Sequence, residues 1–255
     1  PSPYGPPPPM TRQPGIGPPS PFRGPLPPGC IPGLEHLIYA DFCMVVQQIE
    51  WLEVFTGIET ENRYVILNGR GERIFFAYET SDCCERAYCT NGRSLTLTVL
   101  DNFGTPVMAI RRPFLCCSCT CCASAGSCCA DSMTVEAPPG RKIGFITQRE
   151  SCATRNFEIW DENERPVMNI DGPDCCTLHC GCSDKIFNIV SLENGAPCGS
   201  VQKVFTNLAQ ELYTDADNFG VRFPVNMPVS LKACFIASAF LIDYTCFEEK
   251  KNNRD

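Results

Sequence analysis

Stretches of alternating apolar and polar residues, each interrupted by a polar turn, recur along the middle of the chain. Residues 64–79, 95–113, 156–173 and 187–203 place β-branched and aromatic residues on both sides of an Asp, Asn or Gly turn. Such alternation is typical of strands with one buried face, and the turn residues join two strands into a hairpin. The pattern therefore predicts four β-hairpins and a mainly β fold.

Two of these hairpins repeat each other at an offset of sixty residues. The matched positions are Asp101 with Asp161, Pro106 with Pro166, Val107 with Val167, Met108 with Met168, Ile110 with Ile170 and Pro113 with Pro173. Cys116 and Cys122, and sixty residues later Cys176 and Cys182, follow the matched hairpins. Strands in this number usually close into a barrel or pack as a sandwich, so we expect an internally duplicated β architecture.

Helical spacing is confined to shorter parts of the sequence. Strands are expected between Val45 and Thr56, where apolar residues are mixed with polar ones. Apolar residues at helical spacing predict a short helix at Leu34, Leu37 and Ile38, and a second one at Val204, Leu208 and Leu212.

A run of ten residues without charge, from Ala233 to Ile242, lies near the end of the chain, with Lys232 and Asp243 at its edges. A membrane-spanning helix needs about 20 apolar residues, which this segment reaches only by including both charges. A helix that is apolar on all faces is equally typical of a buried core helix. Both interpretations stay open from the sequence.

The first 29 residues are rich in proline and glycine and nearly free of charge, so we expect them to form no core. Pro18, Pro21 and Arg23 fit the P-x-x-P-x-R pattern, in which prolines occupy aromatic grooves of an SH3 or WW domain and the arginine meets an acidic pocket. A plain linker is the alternative, because such matches arise easily in proline-rich sequence.

The net charge of −8, without a long basic run, argues against nucleic-acid binding. The chain has 20 cysteines, several of them adjacent in sequence, and vicinal cysteines rarely bond to each other. There is no secretory signal at the start, so we expect a reducing compartment and mostly free thiols. No nucleophile, nucleotide or metalloprotease motif is present, and no catalytic residues are assigned.

Half of residues 116–129, CCSCTCCASAGSCC, are cysteine. Clustered cysteines beside apolar residues such as Phe114 and Leu115 are typical acceptors of palmitoyl groups. The alternative is zinc, which takes four cysteine or histidine ligands in two pairs. The candidate zinc ligands are Cys175, Cys176, His179, Cys180 and Cys182.

The segment from Asp215 to Asn226 resembles part of an EF-hand loop. Asp215 and Asp217 stand at the first and third loop positions, and Gly220 at the sixth. Phe219 occupies the fifth position, and Asn226 stands where a bidentate Glu belongs, so we expect at most weak Ca²⁺ binding. The alternative is an ordinary turn before a strand or helix.

Together these segments resemble one family. GLEHL, QQIEWLEVFTGIETENRYVILN, RRPFLCCSCTCC, VEAPPGRKIGF and DADNFGVRFPVNMPVSLKACFIASAFLIDYTCFE are similar to the phospholipid scramblases. The resemblance covers residues 30–249, which we take as one domain between the proline-rich segment 1–29 and a polar tail at 250–255. It implies a Tubby-like fold, a closed barrel of about twelve strands around a central C-terminal helix over residues 229–247.

The resemblance also implies functional residues and an activity. Palmitate is expected on Cys116, Cys117, Cys119, Cys121 and Cys122. Ca²⁺ ligands are expected at Asp215, Asp217, Phe219 and Val221 (through their carbonyl groups) and Asn226. Lys232, Phe235, Phe240 and Asp243 mark the helix. The implied activity is ATP-independent, Ca²⁺-activated movement of phospholipids between leaflets. The family usually has Asp at the positions of Asn226 and Pro228, and its basic import segment retains only Lys203 here, which argues against nuclear import.

Three functions therefore stay open from the sequence. The first is a scramblase-like protein on the cytosolic face of the plasma membrane, lipid-anchored or single-pass, alone or as a homo-oligomer. The second is a palmitoylated, non-catalytic adaptor for SH3 or WW partners. The third is a zinc-stabilised interaction module.

Overall fold

Twelve strands and a long C-terminal helix make up most of the described part of the chain. The computed structural model describes residues 26–27, 29–48, 62–82, 92–115, 130–149, 151, 154–179, 185–204 and 218–247. The strands are β1 (Phe42–Gln48), β2 (Arg63–Asn68), β3 (Arg73–Thr80), β4 (Leu95–Leu100), β5 (Pro106–Arg112), β6 (Ser132–Glu136), β7 (Lys142–Arg149), β8 (Asn156–Asp161), β9 (Pro166–Asp171), β10 (Lys185–Ser191), β11 (Pro197–Val204) and β12 (Asn218–Arg222). The helices are a 3-10 turn at Glu35–Leu37, α1 (Cys175–His179) and α2 (Val229–Cys246).

The strands form a closed antiparallel barrel. Each pairs with the strand before and the strand after it, and β12 pairs with β1, where Val45 lies opposite Phe219. Closure leaves the described strands without an exposed sheet edge. The predicted closed barrel is confirmed, as are the four predicted hairpins, β2–β3, β4–β5, β8–β9 and β10–β11.

The structure differs from the sequence prediction in two places. A fifth hairpin, β6–β7, was not predicted, because its first strand has five residues and its turn carries two prolines. The helical spacing at Val204 was misleading, since Val204 is the last residue of strand β11. Leu208 and Leu212 lie outside the described residues, and so do residues 49–61, which include most of the stretch predicted as strands after Val45.

The sixty-residue repeat extends to the hydrogen bonds of the turns. Asp101 Oδ1 accepts bonds from the main-chain N–H groups two and four residues later, both at 2.8 Å. Asp161 Oδ1 accepts the equivalent pair at 2.8 and 2.9 Å. Asn68 Oδ1 makes the same two contacts in the β2–β3 turn, at 2.9 and 3.0 Å. The side chain thus replaces water as a partner for the turn's main chain.

Helix α2 fills the barrel. The inward positions of the strands are apolar, as in β4, where Leu95, Leu97 and Val99 alternate with half-buried residues, and they pack with α2 into one core. Gly144 of β7 permits close approach of the helix, because a Cβ there would lie 2.7 Å from Cys234 Sγ. Among the described residues, one helix is long and apolar enough to span a membrane, and it is α2. Its mean hydropathy is 1.4, and 83% of it is buried. In this structure the terminal apolar run is a core helix.

The barrel has two different ends. The five tight hairpin turns and the N-terminus of α2 lie at one end, which we call the tight-turn end. The connections β1–β2, β3–β4, β5–β6, β7–β8, β9–β10 and β11–β12 leave from the other, the long-connection end, where α2 terminates. The connections at this end include the cysteine cluster between β5 and β6 and the alternative zinc residues between β9 and β10. They also include Asp215 and Asp217, between β11 and β12.

Candidate functional site at the long-connection end of the barrel

The cysteine cluster connects β5 to β6 at the long-connection end. Its palmitoylation candidates, Cys116, Cys117, Cys119, Cys121 and Cys122, lie outside the described residues. The described residues beside the cluster are informative: the Leu115 side chain is buried, whereas Phe114 is 49% exposed. An exposed phenylalanine therefore stands two residues before the first candidate cysteine.

Other cysteines are inert by environment. Cys43, Cys234 and Cys246 are buried, and burial raises the pKa of each thiol to about 12. A thiol reacts as the thiolate, so these three stay protonated near neutral pH.

The alternative zinc residues are partly described. Cys175, Cys176 and His179 belong to α1, and the Cys176 thiol is exposed and free, whereas Cys180 and Cys182 lie outside the described residues. Asp174 precedes α1 and accepts a 2.7 Å bond from the N–H of Thr177, which lowers the pKa of the carboxyl group. The described residues contain no group of three or more potential ligands arranged for a metal ion. Zinc binding stays a prediction.

The calcium candidates do not share one loop in the part that is described. Phe219 and Val221 lie in β12, which pairs with β1 on one side and β11 on the other. Asn226 lies in the exposed turn between β12 and α2, at the tight-turn end. Phe219 and Val221 therefore lie in a strand and Asn226 in a separate turn, and calcium binding stays a prediction. Asp215 and Asp217 lie outside the described residues, as do Pro18, Pro21 and Arg23 of the SH3-ligand pattern.

The helix residues singled out in the sequence hold α2 in place. Phe235 meets the ring of Phe223 edge-on at 6.1 Å between centroids, and Phe240 meets Tyr64 edge-on at 4.9 Å. The fully buried Lys232 donates from Nζ to four main-chain carbonyls at 2.7–3.1 Å, those of Leu37, Ile38, Ala40 and Val225. Burial lowers the pKa of this ammonium group, although nearby anionic groups act in the opposite direction.

The C-terminal turn of α2 lies in a polar cluster, formed by Asn62, Tyr64, Glu79, Arg93, Arg112, Asp131, Asp243, Tyr244 and Thr245. Tyr244 donates its hydroxyl to Glu79 Oε2 at 2.9 Å, and Thr245 donates to Asp131 Oδ2 at 2.9 Å. The Tyr64 hydroxyl reaches Asp243 Oδ2 at 3.4 Å. This cluster ties the end of the helix to the barrel wall.

Two buried ion pairs form the wall of the polar cluster. Arg93 donates from Nε and Nη2 to Glu79 at 3.0 and 3.3 Å, and Arg112 donates from the same two nitrogens to Asp131 at 2.8 and 2.6 Å. Burial alone would raise the pKa of Glu79, but the hydrogen bonds and charge of Arg93 outweigh it, so the pKa is lowered. Glu79 therefore stays ionised inside the barrel.

Sequence reasoning missed these pairs. The candidate functional residues of the sequence do not include Glu79 or Asp131, yet both are buried. A signal was present: Glu79, Arg93, Arg112 and Asp131 all occupy positions that continue the inward alternation of their strands.

Comparison with known proteins gives the family. The sequence profile of the Scramblase family matches residues 20–249. Phospholipid scramblase 2 of Bos taurus is 40% identical over 242 residues, which are 94% of this chain and 80% of the relative. Phospholipid scramblase 1 of Homo sapiens is 42% identical over 225 residues, 88% of this chain and 69% of the relative. Phospholipid scramblase family member 5 of Homo sapiens is 37% identical over 218 residues, 85% of this chain and 78% of the relative.

Among solved structures, the X-ray structure of a protein from Arabidopsis thaliana is similar, with a TM-score of 0.43 and 11% identity, covering 81% of this chain and 96% of that chain. The chain belongs to the Scramblase family.

Proposed function

We propose that this protein moves phospholipids between the two leaflets of a membrane, in both directions and without ATP. The observation that carries the proposal is its membership of the Scramblase family, with phospholipid scramblases 40% and 42% identical over most of the chain. ATP independence comes with the family resemblance.

We further propose that acyl chains attach the long-connection end to the cytosolic face of the plasma membrane. Exposed Phe114 beside the cysteine cluster supports this, because an apolar side chain adds to the membrane affinity of neighbouring acyl groups. One acyl chain anchors weakly and several anchor stably, which fits five candidate cysteines at 116–122. Replacing all five by alanine is expected to release the protein from membranes in a flotation assay; unchanged flotation would contradict the anchor.

Movement of a lipid headgroup requires a change in this structure. The headgroup needs a polar path through about 30 Å of hydrocarbon, and α2 fills the barrel interior. We therefore propose that α2 shifts during transport.

We propose that a calcium response acts through Asp215 and Asp217, which immediately precede β12 in the sequence. Asn218, the first residue of β12, is buried and its Oδ1 lacks a partner among the described residues, so a further oxygen follows Asp217 directly in the sequence. With Asn226 at the opposite end of the barrel, we expect an affinity no tighter than the weak extracellular class of site, about 10⁻⁴–10⁻³ M.

Lipid flip by the purified full chain in liposomes tests the function. Fluorescent phospholipid is placed in both leaflets, and dithionite is added outside. Scrambling exposes the inner-leaflet probe to quenching, whereas protein-free vesicles retain it. Retention of the inner probe at millimolar Ca²⁺, beside a working positive control, would reject the catalytic proposal.

A non-catalytic adaptor is the second candidate. The packed barrel interior favours it, since a filled barrel offers a stable platform and no passage. It predicts that removing residues 1–29 abolishes binding to SH3 or WW domains and leaves membrane attachment intact. The zinc module predicts instead stoichiometric zinc that is lost on mutating Cys176 and Cys182.

A further inference from the structure

Four buried charged side chains form an arc on the inner wall of the barrel. Glu79, Arg93, Arg112 and Asp131 belong to or directly flank four consecutive strands, β3 to β6, at the long-connection end. All four are at most 4% exposed. The order along the arc is anion, cation, cation, anion.

Stability alone gives little reason for this arc. Two ion pairs inside a barrel lose hydration that their mutual attraction only partly returns, and apolar residues of similar volume often serve stability as well. Arg112 Nη1 is buried and has no hydrogen-bond partner among the described residues, although the side chain is only 2% exposed. A buried guanidinium donor without an acceptor is costly, which indicates that this donor serves a second partner.

The last turn of α2 occupies the space that such a partner would take. The Tyr244 ring lies against both guanidinium groups, 5.4 Å from Arg93 Cζ and 5.7 Å from Arg112 Cζ. The hydroxyls of Tyr244 and Thr245 donate to the two carboxylates of the arc. One turn of helix thus contacts all four charges.

We propose that this arc is a binding site for the zwitterionic headgroup of a phospholipid, covered by the Tyr244–Thr245 turn in this structure. The inference rests on the proposed scrambling function. Two adjacent guanidinium groups match the oxygens of a phosphate, and the flanking carboxylates match an ammonium or choline group. Withdrawal of the turn exposes both at once, at the end of the barrel that carries the acyl-acceptor candidates.

Variants that weaken the cover without changing a charge test the site. Tyr244→Phe removes the hydroxyl on Glu79 and keeps the ring, and Thr245→Val removes the hydroxyl on Asp131 at nearly constant volume. Ser238→Ala is the matched control, because it removes a buried hydroxyl of α2 that donates to the Phe235 carbonyl of the same helix. The probe is glycerophosphocholine, titrated into the detergent-solubilised full chain and followed by ligand-observed NMR.

We expect each cover variant to bind glycerophosphocholine about threefold to tenfold more tightly than the control, the factor that one lost hydrogen bond represents. Arg112→Lys, which keeps the charge and loses the forked geometry, is expected to weaken binding in either background. The two cover variants are also expected to scramble faster than the control. Thermal unfolding checks that each variant is folded. One folded cover variant is enough to test the site.

Two further probes identify the ligand chemistry. Inorganic phosphate and choline are each expected to bind more weakly than glycerophosphocholine. Equal binding of phosphate alone would overturn the zwitterion assignment, and so would equal affinities of the cover variants and the Ser238→Ala control. If the wild type scrambles lipids but no folded variant binds a headgroup, the site is rejected and the proposed function stands. If variants bind a headgroup but the protein does not scramble lipids, the site stands and the proposed function is rejected.

Discussion

The ammonium group of Lys232 shows how a charge is accommodated inside this barrel. Among the described residues its hydrogen-bond acceptors are four main-chain carbonyls, three from residues 37–40 and one from Val225. These carbonyls replace the water that burial removes. One side chain near the start of α2 thereby joins the helix to the entry of β1 and to the turn after β12.

Replacing Lys232 by methionine is expected to lower the free energy of unfolding by about 3 kcal/mol, because buried carbonyls lose their donor. Lys142→Met is the matched control. Lys142 pairs with Glu164 at the surface at 2.8 Å, with side chains 36% and 71% exposed, and should cost less than about 1 kcal/mol. Chemical denaturation measures both; equal effects would contradict the buried role of Lys232.

Glu79 gives the barrel a defined sensitivity to acid. Its pKa is lowered below the ordinary 4.5, so its contribution to stability is complete above that value and is lost as the pH falls through the lowered pKa. Glu79→Gln should destabilise the protein by about 3 kcal/mol at pH 7. The difference from the wild type should shrink below pH 4.5. A difference that stays constant from pH 7 to acid would show that ionised Glu79 is not the source.

At the residue scale the sequence identified Lys232 and Asp243 but not the arc of four charges. Lys232 and Asp243 stand out because they flank an uncharged run. Glu79 and Arg93 lie 14 positions apart, and Arg112 and Asp131 lie 19 apart, so only the register of neighbouring strands brings each pair together. Periodicity marks which positions face inward, but it does not identify the partner.

The tight turns are the best-predicted elements, because Asp, Asn and Gly act locally there. In the β4–β5 turn Gly104 has φ 82°, and in the equivalent β8–β9 turn Glu164 has φ 57°. A side chain in this left-handed region is strained, whereas glycine is not. Glu164 is therefore the exception within an otherwise matched repeat.

Glu164→Gly is expected to raise the free energy of unfolding, because relief of the strained left-handed backbone outweighs loss of the exposed ion pair with Lys142. The reciprocal change, Gly104→Ala, should lower it by about 1 kcal/mol. Thermal unfolding of both variants, with the turns compared directly, checks the pair. Opposite signs support the shared geometry, and destabilisation by both changes would contradict it.

Prediction from the sequence was weaker where the same residue types suit two kinds of structure. The apolar spacing at Val204 suggested a helix, but pairing with β10 and β12 makes it a strand. The same ambiguity applied to the terminal apolar run, whose composition fits both a membrane span and a core helix. The surrounding structure distinguishes a core helix from a membrane span. It supplies carbonyl acceptors to Lys232 and a carboxylate acceptor to Tyr244.

At the scale of the whole molecule, one barrel carries different chemistry at its two ends. The tight-turn end is fixed by hairpins and by the Lys232 carbonyls. The long-connection end combines the polar cluster, the C-terminus of α2 and the strands that border the cysteine cluster. This asymmetry supports the proposal that acyl chains attach the long-connection end to the membrane.

The most direct test loosens the hold of the barrel wall on the last turn of α2 and measures lipid flip. Tyr244→Phe removes the hydroxyl that donates to Glu79, and Ser238→Ala is the control, because its hydroxyl donates to the Phe235 carbonyl of the same helix. With both variants shown to be folded by thermal unfolding, Tyr244→Phe in liposomes should scramble faster than Ser238→Ala. Equal scrambling by the two variants would contradict the account.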